Sequence, residues 1–556
     1  MSVPESTISS SAEHLKRGGD SSERRRLVLL FAAGCLLYLP GLGSYGPLDP
    51  TDSFFIEAGR EAVETGQYLV PMNNYQPWLD KPILYFWAVS ASIILFGASE
   101  AAIGFSGRIF TALTALAFSF CVYYGSRSFI GKKQAFFAAL IAMTFPLSAE
   151  LGHISLTDMP LTLFMSAGLY GLFHFFQQGK MKAFWLGYFS LALAFLCKGP
   201  IALIVVGAIL TLYFLATAGN IKSVFVSILK LRPFLGLALI TVINLPWYAA
   251  ATIGTNGAFF RDFFITQNFG RMVGTVNHQQ PFWFYLPVLA GGLFPFNLLY
   301  FCAPSLRLRK QDLAARTKLS KSKAFIVFQT IWALFVLILF SIIKTKLPTY
   351  ILPAMAPLAV LAARAAALAL RLKGKEKFYP LALIPPPVLI AALVVSYKSD
   401  GWVQLFLSQT RYLFIFLLLV SLVNALLIFK GKLKQALTVL TAAAVAGVAV
   451  SMPLAHIAFF EDRQKPVDNL TRTVLERQGS LCTIIRTEPS FPYFLKKNVP
   501  LIRDENEAKA HLAKAQSPIF VMAPKEVLQN ISWFGTPEKI TVVNKTRKWT
   551  LFEVKP

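Results

Sequence analysis

The sequence is poor in charged residues. Only 15% of its 556 residues are Asp, Glu, Lys or Arg, whereas 55% are hydrophobic. Soluble globular domains carry about 25% charged residues, so this composition excludes an ordinary soluble multidomain protein. It indicates a polytopic α-helical membrane protein.

Cysteine is also scarce. Four of the five cysteines, Cys35, Cys121, Cys197 and Cys302, fall within apolar runs, and Cys482 stands alone in the polar C-terminal segment. This spacing excludes a disulfide framework and a cysteine-based metal cluster.

Acidic residues are outnumbered by basic ones, 28 to 54, which leaves a formal net charge of +26. Such a charge could indicate nucleic-acid binding, but the sequence has no zinc-finger spacing, RNA-recognition motif or long basic arm. The basic residues instead form short clusters between apolar runs of about 20 residues, as expected for cytoplasmic loops.

The apolar runs number fourteen. They lie near 27–44, 83–98, 105–126, 134–150, 158–177, 184–197, 200–218, 233–253, 283–303, 325–343, 349–370, 379–397, 412–429 and 435–456. If all of them crossed, the basic loop 304–324 would face outward, against the positive-inside rule. The run 83–98 is shorter than the roughly 20 residues needed to span, so we expect it to lie in or dip into the outer interface. About 13 transmembrane helices then place six basic loops on the cytoplasmic side.

These features divide the chain into three parts. Residues 1–26 are polar and Ser-rich, which predicts a disordered cytoplasmic tail, and residues 27–456 form the transmembrane domain with a polar outer loop at 45–98. Residues 457–556 alternate strand-like stretches ("LCTIIRT", "PIFVMAP", "KITVVNK", "WTLFEV") with the helix-like "EAKAHLAKA". This alternation predicts a small α/β domain outside the membrane.

The outer loop 45–98 contains two acids close together. Asp49 and Asp52 lie three residues apart in "LDPTDSFF". Asp52 fits an N-cap of a helix beginning near Phe54. Asp49 is not needed for such a cap, and an acid at the membrane surface can act as a general base or hold a metal ion.

Lys81 follows in "NNYQPWLDKPILYFW", at the start of the short apolar run. Its structural interpretation is a lysine that extends to the interface beside the aromatic residues Trp78, Tyr85 and Trp87. The functional interpretation is a cation that binds a lipid phosphate.

A second polar group, Glu150, His153 and Asp158, lies where one span ends and the next begins. Thr157 or Asp158 fits a helix N-cap, but Asp158 also falls on the same side of the membrane as Asp49. An acid from a distant segment could therefore share a site with the first loop.

Several basic residues fall on the outer side, where the positive-inside rule does not place them. Lys198, Lys344 and Lys346 are three such lysines, and the loop 254–282 adds Arg271 and His278. A single His before an aromatic belt is usually an interface residue. Together, however, outer acids and cations suit a phosphate-bearing lipid held near an acidic base.

The motifs resemble those of bacterial aminoarabinose transferases and their protein O-mannosyltransferase relatives. The residues concerned are "LDPTDSFFIEAGREAVETGQYLVPMNNYQPWLDKPILYFW", "LTDMPL", "CKGPIAL", "LPWY", "NHQQPFWFYLPVL" and "KTKLPTYILP". The similarity runs from about residue 27 to 456. It implies an integral-membrane glycosyltransferase of the type C fold, with outer juxtamembrane helices and a polyprenyl-phosphate sugar as donor.

The resemblance also implies roles for residues. Asp49 or Asp52 matches the catalytic acid of the first loop, and Asp158 matches the second acidic site. Lys81 and the Lys344–Lys346 segment match the donor-phosphate site. Lys198 and Arg271 complete this set of cations. Further candidates are Glu57, Glu150, His153, His278 and Tyr350.

Two departures from the family pattern affect this assignment. The family's first motif is typically an adjacent Asp-Glu pair, whereas Pro50 and Thr51 separate the acids here. His153 stands where many relatives have Arg before the second acid. Which of Asp49 and Asp52 is catalytic therefore stays open.

The activity expected from the resemblance is inverting transfer of 4-amino-4-deoxy-L-arabinose to lipid A phosphate at the periplasmic face of the bacterial inner membrane. Transfer of mannose or another hexose to a protein or envelope glycan is the alternative. A lipid or sugar transporter would instead place polar residues near mid-membrane. No cofactor is required by the sequence, although a divalent metal ion could bridge the acids to phosphate.

Overall fold

The chain folds into a set of long apolar helices followed by one mixed β-sheet. The computed structural model describes residues 5–270, 279–302, 320–372, 374–398, 400–514 and 518–555. Glycine residues terminate two of the helices, because Gly66 and Gly179 adopt the left-handed conformation directly after them.

The helices of the first half, with a two-stranded hairpin between the second and third, are α1 (Glu5–Tyr38), α2 (Thr51–Thr65), β1 (Met72–Asn73), β2 (Gln76–Pro77), α3 (Leu84–Phe96), α4 (Glu100–Ile130), α5 (Lys132–Thr144), α6 (Pro146–Gly152), α7 (Asp158–Gln178), α8 (Met181–Lys198), α9 (Ile201–Thr217), α10 (Ile221–Lys230), α11 (Pro233–Gly254) and α12 (Ala258–Phe260). A π-helical stretch, Arg261–Gly270, continues α12.

The α-helices of the second half are α13 (Tyr285–Gly292), α14 (Lys321–Ile342), α15 (Met355–Arg371), α16 (Tyr379–Leu383), α17 (Pro385–Lys398), α18 (Trp402–Phe429), α19 (Leu433–Phe459), α20 (Lys465–Glu476), α21 (Ser490–Leu495) and α22 (Glu505–Ala513). Short 3₁₀ helices precede or follow several of these α-helices, among them Phe296–Cys302 and Pro348–Ala354.

Nine helices within the described ranges are long and apolar enough to cross a membrane. The count rises to eleven if two bent pairs each form one span, α5 with α6 at 63° and Phe282–Gly292 with Phe296–Cys302 at 99°. The predicted spans 27–44 and 200–218 correspond to the end of α1 and to α9, neither of which is among these eleven.

The short run 83–98 forms α3, which has 13 residues. A helix of this length is about 20 Å long, less than the roughly 30 Å hydrocarbon core, and it is not among the candidate spans. It packs against α2 and α4.

The N-terminal segment differs from the expected disordered tail. Helix α1 begins at Glu5, so residues 5–26 are helical. One physical reason lies near the end of this segment, where Glu23 forms ion pairs with Arg127 and Lys132 at the junction of α4 and α5.

The C-terminal part contains a five-stranded sheet in the order β4-β3-β5-β7-β6. Its strands are β3 (Ser480–Ile484), β4 (Leu501–Ile502), β5 (Ile519–Pro524), β6 (Ile540–Lys545) and β7 (Trp549–Val554). Strand β3 is parallel to β4 and β5, whereas β7 is antiparallel to β5 and β6. Alternate residues of β5 enter two separate cores, because helices cover both faces of the sheet.

The boundary between the two parts is not a loop. Helix α19 runs past the predicted boundary at 456 to Phe459, and a π-helical turn, Phe460–Gln464, connects it to α20. The hairpin also contacts the C-terminal part, because the Asn74 side chain bonds both backbone groups of Val499.

Helices α7 and α8 pack especially closely. A Cβ added at Gly171 would lie 2.7 Å from the Cα and the backbone N of Gly187. The lack of side chains at these two positions lets the helix backbones approach each other.

We expect Gly171→Ala to lower the free energy of unfolding by about 1–3 kcal/mol, the usual cost of overpacking. Gly291→Ala in α13 is the matched control, because a Cβ there meets nothing within 4 Å. Denaturant titration of the detergent-solubilised protein would measure both variants. Equal stability of the two would contradict the close packing of α7 and α8.

Candidate active site

Asp52 forms a buried ion pair with Arg108 of α4. The Asp52 carboxylate accepts hydrogen bonds from Arg108 Nε (3.1 Å) and Nη2 (2.5 Å), and from the backbone N–H groups of Leu48 (3.0 Å) and Ser155 (2.7 Å). These four bonds occupy the acceptor sites of a carboxylate. The N-cap interpretation of Asp52 is wrong, since α2 begins at Thr51 without a side-chain cap.

Arg108 is the partner that sequence reasoning missed. Its guanidinium also donates to the carbonyl oxygens of Leu42, Tyr45 and Gly46, and it lies 3.9 Å from the centre of the Tyr45 ring. The available signal was its position, because Arg108 is the single charged residue within the apolar run 105–126. Lone charges in apolar spans usually mark polar networks.

Glu150 and His153 belong to a neighbouring cluster around the His456 ring. His456 Nε2 lies 3.2 Å from Glu150 Oε1, and its ring stacks on Tyr45 at 5.3 Å and on His153 at 5.9 Å. His153 Nδ1 lies 2.8 Å from the Ala149 carbonyl, and burial lowers the pKa of His153 to about 4. His153 is therefore neutral at pH 7, which suits a packing role beside Arg108.

Asp49 connects the first outer loop to the C-terminal part. Its carboxylate accepts from Ser53 Oγ (2.5 Å), Ser490 Oγ (2.5 Å), Ser490 N (3.2 Å) and Gln464 Nε2 (2.9 Å). Burial raises the pKa of Asp49, and these hydrogen bonds oppose the rise. Both first-loop acids are thus fully hydrogen-bonded in this structure.

Glu57 lies in a separate buried cluster on α2. Its carboxylate forms a two-bond ion pair with Arg60 (2.6 and 2.7 Å), which also bonds Glu64 and the Tyr75 hydroxyl. Burial raises the pKa of Glu57, and burial together with the charge of Glu57 raises the pKa of Glu61 to about 8. The cluster fastens the β1–β2 hairpin to α2, because Glu61 accepts from the Tyr75 backbone N–H.

Ser155 also connects the second outer segment to the juxtamembrane helix α3. Its hydroxyl lies 2.9 Å from the Tyr85 hydroxyl, which in turn lies 2.6 Å from Thr111 Oγ1. Lys81 lies three residues before α3, and its ammonium lies 5.8 Å from the centre of the Trp78 ring. The Lys81 ammonium also donates to the Asp80 carbonyl at 3.4 Å.

Asp158 and Lys198 form an ion pair at 2.7 Å, between the start of α7 and the end of α8. The Lys198 ammonium also lies 5.5 Å from the centre of the Tyr350 ring. The side chains of Lys198 and Asp158 are 19% and 8% exposed, so Lys198 stays accessible to a ligand. Three residues predicted from separate segments thus meet in one place.

The remaining outer lysines lie on the segment before Tyr350. Lys346 is buried and donates to the Gln280 carbonyl at 2.9 Å, while the Lys344 side chain is exposed. A backbone bond from Gln280 N–H to the Lys344 carbonyl joins this segment to the long loop. Arg271 and His278 lie outside the described residues.

The site is therefore a set of segments joined by polar contacts, in which Lys198 is partly buried and about one fifth of its side chain is exposed. An ammonium has three N–H donors, so Lys198 can keep its bond to Asp158 and still bind an anion. In the described ranges, no three His, Cys, Asp or Glu side chains are grouped to hold a metal ion.

Comparison with known proteins supplies the family context. Residues 80–247 match the family described as dolichyl-phosphate-mannose-protein mannosyltransferase. The chain is 30% identical over 349 residues to an undecaprenyl phosphate-alpha-4-amino-4-deoxy-L-arabinose arabinosyl transferase of Aeromonas salmonicida, covering 62% of this chain and 60% of that protein. The resemblance inferred from the motifs is confirmed.

Two further comparisons give a relative in sequence and a solved structure of similar fold. An uncharacterised protein of Aquifex aeolicus is 26% identical over 341 residues, covering 61% of this chain and 63% of that protein. The crystal structure of ArnT from Cupriavidus metallidurans bound to undecaprenyl phosphate has a TM-score of 0.76 at 20% identity, covering 95% of this chain and 97% of that one. This aminoarabinose transferase therefore shares the fold of the present chain.

The extent of these matches bears on the site. The matched region spans less than two thirds of the length of the curated relatives. The family match begins at Asp80, so it contains Lys81, Asp158 and Lys198. It contains neither Asp49 nor Asp52.

We expect Asp52→Asn to destabilise the protein by about 3–5 kcal/mol, because it leaves the buried Arg108 guanidinium without its counter-charge. Glu100→Gln is the control, since the Glu100–Arg472 pair is 62% and 44% exposed and such pairs contribute about 0–1 kcal/mol. Denaturant titration in detergent measures both. A loss below about 1 kcal/mol for Asp52→Asn would show that the pair is dispensable.

The Glu61 cluster predicts a pH dependence of stability. The Glu61 pKa rises from 4.5 to about 8 on folding, so the protonated form stabilises the fold, fully below pH 4.5, and this contribution is lost as the pH rises through 8. We expect Glu61→Gln to have a higher melting temperature than the wild-type protein at pH 9. Its melting temperature should also change less than that of the wild type between pH 5 and pH 9.

Glu64→Gln on the same helix should change the melting temperature at high pH in the opposite direction. The hydrogen bonds from Tyr75 and Arg60 lower the Glu64 pKa despite partial desolvation, so the ionised Glu64 stabilises the fold above its unfolded pKa. This variant should melt below the wild-type protein at pH 9. If Glu61→Gln also melts lower there, the ionised Glu61 carboxylate stabilises the fold, and the raised pKa assigned to Glu61 is wrong.

Proposed function

We propose that this chain is an integral-membrane glycosyltransferase. It moves a sugar from a polyprenyl-phosphate donor to an acceptor at the periplasmic face, and the sugar and acceptor are 4-amino-4-deoxy-L-arabinose and lipid A phosphate. The observation that carries this proposal is the accessible Lys198, held by Asp158 and Tyr350 at the junction of three outer segments.

The donor phosphate binds to cations from separate segments. Lys198 offers its remaining N–H groups, Lys81 lies three residues before α3, and Lys344 is exposed on the segment that leads to Tyr350. As the bond between the anomeric carbon and the phosphate oxygen breaks, the electron pair stays on the leaving phosphate. Fixed ammonium groups stabilise this developing charge.

An acceptor oxygen attacks the anomeric carbon from the opposite face and inverts it in one displacement. An ionised acceptor phosphate needs little base catalysis, so the acid in the site chiefly orients the reactants. Asp158 fits this role best, because its one described side-chain bond is to Lys198. Asp49 and Asp52 act instead as positioning residues, since each carboxylate holds four hydrogen bonds within the protein.

The same proposal includes the membrane arrangement. Thirteen crossings, counting α1, α9 and both bent pairs, would place the basic clusters between spans in the cytoplasm. The N-terminus is then cytoplasmic, and the sheet of residues 480–554 is periplasmic. Asp49, Asp158, Lys198 and Tyr350 all fall on the outer side in this arrangement.

A mass spectrum of lipid A tests the function. A strain lacking this gene is complemented with wild type, Lys198→Gln, Asp158→Asn or, as control, Lys133→Gln, which changes an exposed lysine at the start of α5. We expect wild type and the control to restore an aminopentose-sized adduct, and Lys198→Gln to lower its formation about 100-fold or more. The Asp158 variant should be impaired as well.

Two outcomes would change the proposal. If lipid A never carries the adduct but a protein or another glycan gains a hexose, the substrate assignment is wrong and the mannosyltransferase description of the matched family guides the next substrate. If Lys198→Gln transfers the sugar as well as wild type does, the site is misplaced. The amount of each variant in the membrane, measured by immunoblot, separates lost catalysis from lost folding.

A further inference from the structure

An apolar groove of about 320 Å³ lies on the membrane domain, away from the candidate active site. Helices α7, α8, α9 and α11 line it together with the end of α10. The residues that α9 contributes include Leu203, Gly207, Leu210 and Phe214, which recur every three or four positions. They form one stripe along the helix.

The length of this stripe matches half a membrane. Eleven residue steps separate Leu203 from Phe214, which corresponds to about 16 Å along the helix. The hydrocarbon core of a bilayer is about 30 Å thick. The groove therefore extends over about one leaflet, the depth of a single acyl chain.

The space is empty at the centre and closed at one side. A Cβ added at Gly207 would have no heavy atom within 4 Å. On the closed side, the Tyr188 hydroxyl donates to the Leu231 carbonyl at 3.1 Å. This bond ties α8 to the turn before α11 at the edge of the groove.

Basic residues surround the end of the groove beside Phe214 and Leu231. Lys230 and Arg232 flank Leu231, and the Arg232 guanidinium lies 3.7 Å from the sulfur of Met181, between Lys180 and Lys182. The four basic side chains are exposed. The sequence contains no Asp or Glu between Asp158 and Asp262, so this rim has no acid from its own segment to neutralise it.

Helix α10 places this end of the groove at a membrane surface. Val224 is buried against the protein, whereas Ile221 and Phe225 are 73% and 67% exposed on a helix that also carries Lys222 and Lys230. Such a short amphipathic helix lies in the interface between acyl chains and headgroups. The rim therefore stands at headgroup level.

We propose that the groove binds one acyl chain of an anionic phospholipid, whose headgroup is bound by Lys180, Lys182, Lys230 and Arg232. The polyprenyl donor does not fit this position. Lys180 and Lys198 lie at opposite ends of α8, which has 18 residues and is about 27 Å long. A headgroup at this rim is therefore about one membrane thickness from the candidate active site.

Native mass spectrometry of the purified full-length protein tests the proposal. The delipidated protein is titrated with phosphatidylglycerol or phosphatidylcholine, and the bound lipid is counted. We expect one phosphatidylglycerol to bind in preference to phosphatidylcholine. Gly207→Phe should abolish this binding, whereas Gly291→Phe, another membrane-helix glycine with open space at its Cβ, should retain it.

The basic rim is tested separately with Lys230→Gln and Arg232→Gln, which leave the groove unfilled. A juxtamembrane charge contributes about 1 kcal/mol to anionic lipid binding, so each change should weaken phosphatidylglycerol binding roughly fivefold and leave phosphatidylcholine unaffected. If Gly207→Phe does not fold, these two variants still decide the question.

Three results would overturn the proposal. They are equal binding of the two phospholipids by the wild-type protein, unchanged phosphatidylglycerol binding in folded Gly207→Phe, and displacement of the phospholipid by undecaprenyl phosphate, which would make the groove a polyprenyl site. None of these readouts depends on sugar transfer, so the proposal stands or fails independently of the proposed function.

Discussion

The ion pair between Asp52 and Arg108 organises the polar segments between the first membrane helices of this protein. Its two partners come from the first outer loop and the second long membrane helix, and both are almost completely buried. Around them, the carboxylate binds the backbone of the second outer segment through Ser155, while the guanidinium binds three carbonyl groups before α2. A buried pair is costly to desolvate, and here the surrounding hydrogen bonds satisfy nearly every remaining donor and acceptor.

The other outer contacts extend from this pair. The Ser155 hydroxyl bonds Tyr85 at the start of α3. Asp158 forms an ion pair with Lys198 at the end of α8, and the Lys198 ammonium lies close to the ring of Tyr350, after α14. Each segment contributes one or two polar groups, and none could hold a phosphate-bearing lipid alone. Asp49 adds the C-terminal part to this arrangement through Ser490 and Gln464. The geometry of the site therefore depends on cooperation between segments that are far apart in sequence.

The two ends of α8 differ in how their basic side chains are surrounded. At the outer end, Lys198 is partly buried, paired with an acid and close to an aromatic ring. Such an environment orients one charge toward a reacting phosphate. At the other end, the lysines and the arginine are exposed and have no acid in their own segment, which suits looser attraction to an anionic headgroup. The same residue type would thus position the donor phosphate at one surface and anchor a phospholipid at the other, if both proposals hold.

The sequence by itself determined the membrane class, the positions of most helices and strands, the short apolar helix after residue 83, and the family resemblance. These follow from apolar length, periodicity and ordered motifs, all of which are local. Only the tertiary structure decided which partners surround each acid. Spacing cannot show that Asp52 meets Arg108, 56 positions later, or that Asp49 meets Ser490 across 441 positions. Whether a carboxylate is free to react or already saturated depends on its neighbours in space, and those neighbours are set by packing between distant segments.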